Sequence, residues 1–505
     1  MASTAADSAE TPSAPPIPPL NLGTRLAYGS GAMANGIKGA AFSAYLMLFF
    51  NQVIGVPASI VGTALACTLL VDAIVDPFLG RWADVTRSRW GRRHPFMYAA
   101  AFPTALFFYA TWFPPDGMSH MQLGFWVFGM AAMTRACISA FEINASAMAP
   151  ELTSVYAQRT KLFSLRYWFG YAGVYGFTAF SLIFIFVENE EYPRGQLNPE
   201  SYVNFAALGA ALIFLAILIC SWGTHNRIPY LRQTDAPEGH IPVKQHLAEM
   251  FAAFKNRGFL SIFGFGVCKY TAIGLYSATN LYFGTYLFKL NTTELAILTI
   301  DSFVAATLAV PLAPLFSRWI GKRLSSMLFA IVGVSIGIMP LLLSYFDLFF
   351  VPGDALLVPT LFLIGAVYGA MVAISLINTS SMLADVVDDS AVETGRHTSG
   401  TFFSASSFMQ QCSNALGIFV AGQVLYLAQF PEQADPETIP ETAVDGLIIS
   451  YIPFSLGLWT IGALFLIFYP ITRERHERNV EMLRAREAEA RDTELRDASI
   501  GAPAR

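Results

Sequence analysis

Residues 71–96 read VDAIVDPFLGRWADVTRSRWGRRHPF. The first ten are apolar except for Asp72 and Asp76, and the remainder carries five arginines and His94. Such a run reads as a helix that crosses hydrocarbon and ends at a basic loop. Counted from Arg81 at 1.5 Å per residue, Asp76 lies about 7 Å deep and Asp72 about 13 Å deep. The hydrocarbon half-thickness is about 15 Å, so Asp72 approaches the middle of the membrane. The i,i+4 spacing stacks both carboxylates on one face, and ionisable groups at this depth are functional by default.

The whole chain supports a membrane reading. Its 505 residues are 54% hydrophobic and only 13% charged, against about a quarter charged in soluble domains. The mean hydropathy is +0.48. Cysteines 67, 137, 220, 268 and 412 sit in apolar stretches without CxxC spacing, so they read as small buried hydrophobes rather than disulfides or metal ligands. A formal charge of −5 spread along such a chain does not suggest nucleic acid as a partner.

Apolar runs long enough to cross a bilayer occur at 24–50, 58–82, 94–114, 119–149, 162–187 and 203–222, then at 259–288, 293–317, 324–348, 355–384, 399–428 and 446–470. The expected fold is therefore all-α, with twelve transmembrane helices in two bundles of six. The expected domains are a disordered cytoplasmic tail at 1–20, an N-terminal bundle at 21–222, a cytoplasmic linker at 223–258, a C-terminal bundle at 259–472 and a charged cytoplasmic tail at 473–505. Basic residues cluster in alternate loops, as at Arg87, Arg92, Arg159, Arg318 and Lys322, whereas ENEEYPRGQLNPE and FPEQADPETIPETAVDG are acidic. The positive-inside rule places both termini in the cytoplasm of a multi-pass cell-membrane protein, the inner membrane if the source is bacterial. Lipids are its surroundings, and a functional monomer is expected. Two similar sets of spans around a linker suit a transporter that rocks about a site near the midplane.

Span four adds a third acid, Glu142, with Ser139 on the same face. Carboxylates with a hydroxyl are hard oxygen ligands, so Asp72, Asp76, Glu142 and Ser139 form a candidate site for a proton or for Na⁺, the three acids being the metal ligands if Na⁺ is the ion. Arg135 is the competing partner for Glu142. Pro77 is expected to kink span two, and Asp84 to pair at a cytoplasmic gate.

The stretch DAIVDPFLGRWADVTRSRWGRRHPF resembles the glycoside–pentoside–hexuronide:cation symporters, a branch of the major facilitator superfamily that includes the melibiose permease. The segments RLAYGSGAMANG, SAMAPELT and SMLADVVDDSAVETGRHTSG extend the likeness over residues 21–472. The resemblance implies cation-coupled uptake of a small organic solute, a sugar or glycoside first, with Na⁺ or H⁺ as coupling ion and no cofactor. It implies that Asp72 and Asp76 take the two span-two roles, with Glu142 and Ser139 standing for the family's span-four aspartate and threonine. The sugar side departs from the pattern. Gly36 stands where the family has an acid, Ser146 where it has a tryptophan and Gln411 where it has a lysine; Arg166 is one position from the family arginine.

Solute-binding candidates are Tyr28, Asn35, Lys38, Arg166, Trp168, Lys269, Tyr276 and Gln411; Lys38 and Lys269 are intramembrane cations that would suit an anionic group. The branch also resembles sodium-dependent lysophospholipid carriers, so an amphipathic anion is the alternative solute. Asp84, Arg87, Arg159, Asp385 and Asp388 are expected to form a cytoplasmic gate that bridges the bundles when the inside is closed. A channel would need a continuous polar stripe, and a non-transporting scaffold would not need three intramembrane acids. An enzyme is not expected, because HExxH, GxSxG in a strand-turn-helix context and paired CxxC are missing from the sequence.

Overall fold

The computed structural model describes residues 19–153, 156–231, 254, 256–394, 399–479, 481–483 and 485, and their regular structure is helical. In chain order the long helices are α1 (Leu22–Ile54), α2 (Ala58–Val85), α3 (His94–Thr111), α4 (His120–Leu152), α5 (156–184) and α6 (Ser201–Gly223). They continue as α7 (Arg257–Leu287), α8 (Thr292–Ile320), α9 (Lys322–Tyr345), α10 (Leu357–Thr394), α11 (Ser399–Leu427) and α12 (Glu441–Ile467). Hydrocarbon leaves the backbone no water to bond, so each apolar run closes its own ladder as a helix. The starts follow local chemistry: Asn21 caps α1 through Thr24 N at 2.7 Å, and Ser119–Gln122 and Asn291–Glu294 form capping boxes on α4 and α8.

Among the described residues, eight helices are long and apolar enough to cross a membrane: α1, α4, α6, α7, α8, α9, α10 and α12. The chain is an all-α, multi-pass membrane protein. Two of the helices that fall short carry polar residues away from their ends: Arg166 in α5, and Gln410 with Gln411 in α11. Interior-facing polarity lowers the hydropathy of a segment without shortening it.

α1 packs on α5 and α6, α2 and α3 on α4, α7 on α11 and α12, and α10 on α8 and α9. Between the first six helices and the last six, α2 meets α11, α5 meets α8 and α1 meets α7. Close seams need small residues. A Cβ on Gly36 would come within 2.3 Å of the Gly170 carbonyl oxygen across α1–α5, and one on Gly274 within 2.1 Å of the Asn414 carbonyl oxygen across α7–α11. The seam at Gly36 explains why no acid stands there.

At the end remote from both termini, α1–α6 and α7–α12 are joined by a belt of mostly neutral hydrogen bonds. Tyr282 donates to Asn51 Oδ1 at 2.9 Å and Tyr286 to Gln52 Oε1 at 2.9 Å. Gln196 donates to Thr285 at 2.9 Å, the Thr292 N–H to Glu188 at 2.8 Å and Gln433 to the Val53 carbonyl at 3.1 Å. At the opposite end, the ion pairs seen among the described residues include several within a set. Arg92 and Arg93 grip the buried Glu151, while Asp385 takes Lys322 at 2.8 Å and His476 at 3.3 Å.

One sequence expectation changes here. α10 was read to stop at 384 but runs to Thr394, because its acids are satisfied: Asp389 receives Arg475 through two bonds at 2.7 and 2.8 Å and Asn479 at 2.7 Å. The same contacts tie Arg475 and Asn479 of the charged tail to α10, while Arg473, Glu474, Glu477 and Arg478 are exposed. Residues 1–18, most of the linker and the tail beyond 485 lie outside the described residues.

Candidate functional site

α2 and α4 pack on each other and place Asp72 against Arg135 and Asp76 beside Ser139. Asp72 is buried, and Arg135 Nε donates to its Oδ2 at 2.6 Å. Asp76 has Ser139 beside it and lies within electrostatic reach of Asp72, Arg135 and Lys38. Arg166 on α5 donates to Glu142, reaches Ser146 Oγ at 3.3 Å and covers the Tyr28 ring at 5.3 Å from its centroid. Lys38 on α1 faces all three acids and Arg135. Three acids therefore stand against Lys38, Arg135 and Arg166, which is how buried charge is tolerated in a medium of low dielectric.

The sequence reading had the three acids awaiting a positive ion. In this conformation two of the three acids are paired with arginines. Among the described residues, no group of three or more His, Cys, Asp or Glu is arranged to hold a metal ion in this conformation. Arg135 pairs with Asp72 and not with Glu142. It lies two helical turns from Glu142 on the same helix, about 10 Å along the axis, but faces α2. The donor chemistry still suits a small hard cation. Asp72 Oδ1, Asp76 Oδ1 and Glu142 Oε2 are each buried without a protein hydrogen bond, and anionic oxygens of this kind are its usual ligands.

The solute candidates separate into two groups. Tyr28 (0% exposed) donates to the Ala145 carbonyl at 3.1 Å, and Arg166 (6% exposed) is spent on Glu142. Lys269 (2% exposed) sits over Phe265 and Tyr270 at 5.0 and 4.7 Å from their centroids. These three lie beneath the surface. Asn35, Trp168 and Gln411 are exposed, and Lys38 and Tyr276 partly so.

Of the gate residues, Arg87 is exposed, Asp388 is half-buried and Asp385 is held within its own set of helices. The side chains of Asp84, Arg159 and Pro77 lie outside the described residues. Sequence reading missed the Asn51–Gln52 pair with Tyr282 and Tyr286, and Asp301 in α8. Two adjacent amides ending an apolar run, tyrosines four apart and a single acid in LTIDSFVAA were the available signals.

Comparison with known proteins fits this geometry. The family described as MFS/sugar transport protein matches residues 27–473. An uncharacterized symporter of Synechocystis sp. is 27% identical over 93% of this chain and 97% of its own. The isoprimeverose transporter of Lactiplantibacillus pentosus is 26% identical over 89% and 88%, and the mouse sphingosine-1-phosphate transporter MFSD2B is 24% identical over 79% and 80%. In fold, a bacterial homolog of the human lysosomal transporter Spinster, inward-facing and unoccupied, superimposes with a TM-score of 0.63 at 12% identity, over 90% of this chain and 98% of that one.

Proposed function

Because this chain belongs to the MFS/sugar transport protein family, we propose that it is a cation-coupled symporter of a small glycoside. It is a secondary-active transporter of a small organic solute and makes or breaks no bond. We read it as a member of the glycoside–pentoside–hexuronide:cation branch, with twelve spans in bundles 21–222 and 259–472 joined by a cytoplasmic linker at 223–258, and with both termini cytoplasmic.

The observation that supports the symport reading is the trio of buried carboxylate oxygens without a hydrogen bond on Asp72, Asp76 and Glu142, beside Lys38, Arg135 and Arg166. The belt joins the two sets at the outer end, and we read this conformation as closed on that side. Arg135 and Lys38 then supply the positive charge that a coupling ion, Na⁺ or H⁺, supplies in the loaded state. When the outer end opens, ion entry releases Arg135 from Asp72 and frees Lys38. The side chains around them reorder, and solute and ion bind with reciprocal linkage. Closing the inner end engages the gate of Asp84, Arg87, Arg159, Asp385 and Asp388.

Asn35, Lys38, Trp168, Tyr276 and Gln411 are the residues proposed to meet the solute, with Tyr28, Arg166 and Lys269 beneath them. The isoprimeverose transporter among the relatives supports a glycoside. MFSD2B, together with the exposed Tyr167, Trp168 and Tyr171, supports an amphipathic anion as second reading.

Uptake into proteoliposomes decides between them. Isoprimeverose and a lysophospholipid are offered under separate Na⁺ and pH gradients. Gradient-driven accumulation of isoprimeverose supports the proposal. Movement of lysophospholipid alone favours the second reading, and solute movement indifferent to both ions removes symport.

A further inference from the structure

α8 carries an acid that the coupling cluster does not use. Asp301 lies nine residues inside α8, which begins at Thr292, and nine residues at 1.5 Å is about 13 Å of depth. Ser302 Oγ donates to Asp301 Oδ1 at 2.8 Å. Oδ2 rests on the backbone of Gly365 in α10, where a Cβ would come within 2.0 Å of it. Only a glycine leaves room for the carboxylate.

Tyr276 of α7 lies near Asp301, Tyr368 and Tyr175, with the Tyr276 and Tyr368 rings 5.4 Å apart. From the other set of helices, Tyr175 stands beside Ser302 and Asp301 and stacks on Tyr171 at 6.0 Å and 12°. Tyr175 belongs to the π-helical segment Ala172–Gly176, a local widening that recurs at functional sites. Asp301, Tyr175, Tyr276 and Tyr368 are all partly accessible. Among the described residues, no lysine, arginine or histidine forms an ion pair with Asp301.

An acid at membrane depth without a cation needs hydrogen-bond donors. We propose that Asp301, with Tyr175, Tyr276 and Tyr368, is a subsite for a neutral polyhydroxylated solute, spanning the two sets of helices. The carboxylate accepts two or more ligand hydroxyls on its remaining lone pairs, the phenols donate or accept beside it, and the ring faces cover the apolar face of a sugar. The uncompensated charge repels a phosphate or carboxylate headgroup, so the subsite favours a glycoside over an amphipathic anion. This inference rests on the glycoside symport reading.

The test uses the full chain in lipid nanodiscs, with isoprimeverose, methyl glucoside and the monodeoxy analogues of methyl glucoside as probes. Solute-free cation binding is measured in parallel. Losing a charge-assisted hydrogen bond gives about 10- to 100-fold weaker binding, which is the expected loss in Asp301→Asn. That variant should also cease to discriminate against the monodeoxy analogue that wild type binds worst, while cation binding stays as in wild type. Wild-type affinity and discrimination in Asp301→Asn would overturn the subsite and leave the symport reading standing. If wild type binds none of the sugars, the glycoside reading falls and the subsite with it. Should Asp301→Asn fail to fold, Tyr175→Phe and Tyr276→Phe supply the readout. A loss of about 2- to 10-fold in either is expected for a neutral hydrogen bond; no change in both would overturn the proposal.

Discussion

The charged cluster around Asp72 and the belt at the remote end do opposite jobs with opposite chemistry. In the cluster, Asp72, Asp76 and Glu142 face Lys38, Arg135 and Arg166. In the belt, Tyr282, Tyr286, Gln52 and Gln196 meet Asn51, Ala434 and Thr285, mostly as neutral partners. A neutral hydrogen bond contributes about 0.5–1.5 kcal/mol net, so a belt of them can part and re-form within one transport cycle. A buried charge stripped of its partner costs about 3–5 kcal/mol, so the cluster cannot simply open. On the proposed reading it exchanges one positive partner for another, and that exchange would be the coupling step.

The largest expected effect lies in the cluster. Asp72→Asn leaves Arg135 buried without its anion and should lower stability by about 3–5 kcal/mol, read as a fall in Tm of the purified protein, together with loss of ion-driven uptake. Unchanged Tm and uptake would reduce the cluster to decoration. Next comes Gly36→Asp, which puts an acid where the resemblance implies one but forces a side chain into the α1–α5 seam. Overpacking of this kind costs about 1–3 kcal/mol or more, so Tm should drop with no gain in sugar affinity.

The belt should respond more gently. Tyr282→Phe removes one bond of about 1 kcal/mol, a roughly five-fold shift toward the outward-open form. Accessibility of a reporter cysteine at the outer end to a membrane-impermeant reagent measures it, and no shift would mean the belt does not hold the inward-facing state. Smallest of all is Arg473→Ala. Its pair with Glu477 is exposed on both sides, and thermal unfolding should move by less than about 0.5 kcal/mol.

Much of the fold could be read in the chain because hydrocarbon imposes one rule on every span. Observed helix ends lie within a few residues of the apolar runs, as for α8, read at 293–317 and found at Thr292–Ile320. The rule fails at α10, where Lys322, His476 and Arg475 satisfy acids beyond the apolar end. The acids of the cluster were equally legible, since a carboxylate at mid-depth is rare. Their partners were not. Whether Arg135 reaches Asp72 or Glu142 depends on which helix faces α4, and Arg166 could be assigned to Glu142 only once α5 was placed. The π-helical segments, which turn Tyr175 and Tyr286 toward the other set of helices, leave no periodicity that a sequence shows.

Cation binding by the purified protein in the absence of any solute tests the exchange most directly. Wild type should show either saturable Na⁺ binding or measurable proton uptake, and Asp76→Asn should lose it while remaining folded. Equal cation binding in wild type and Asp76→Asn, or no binding of either ion by wild type, would contradict the account.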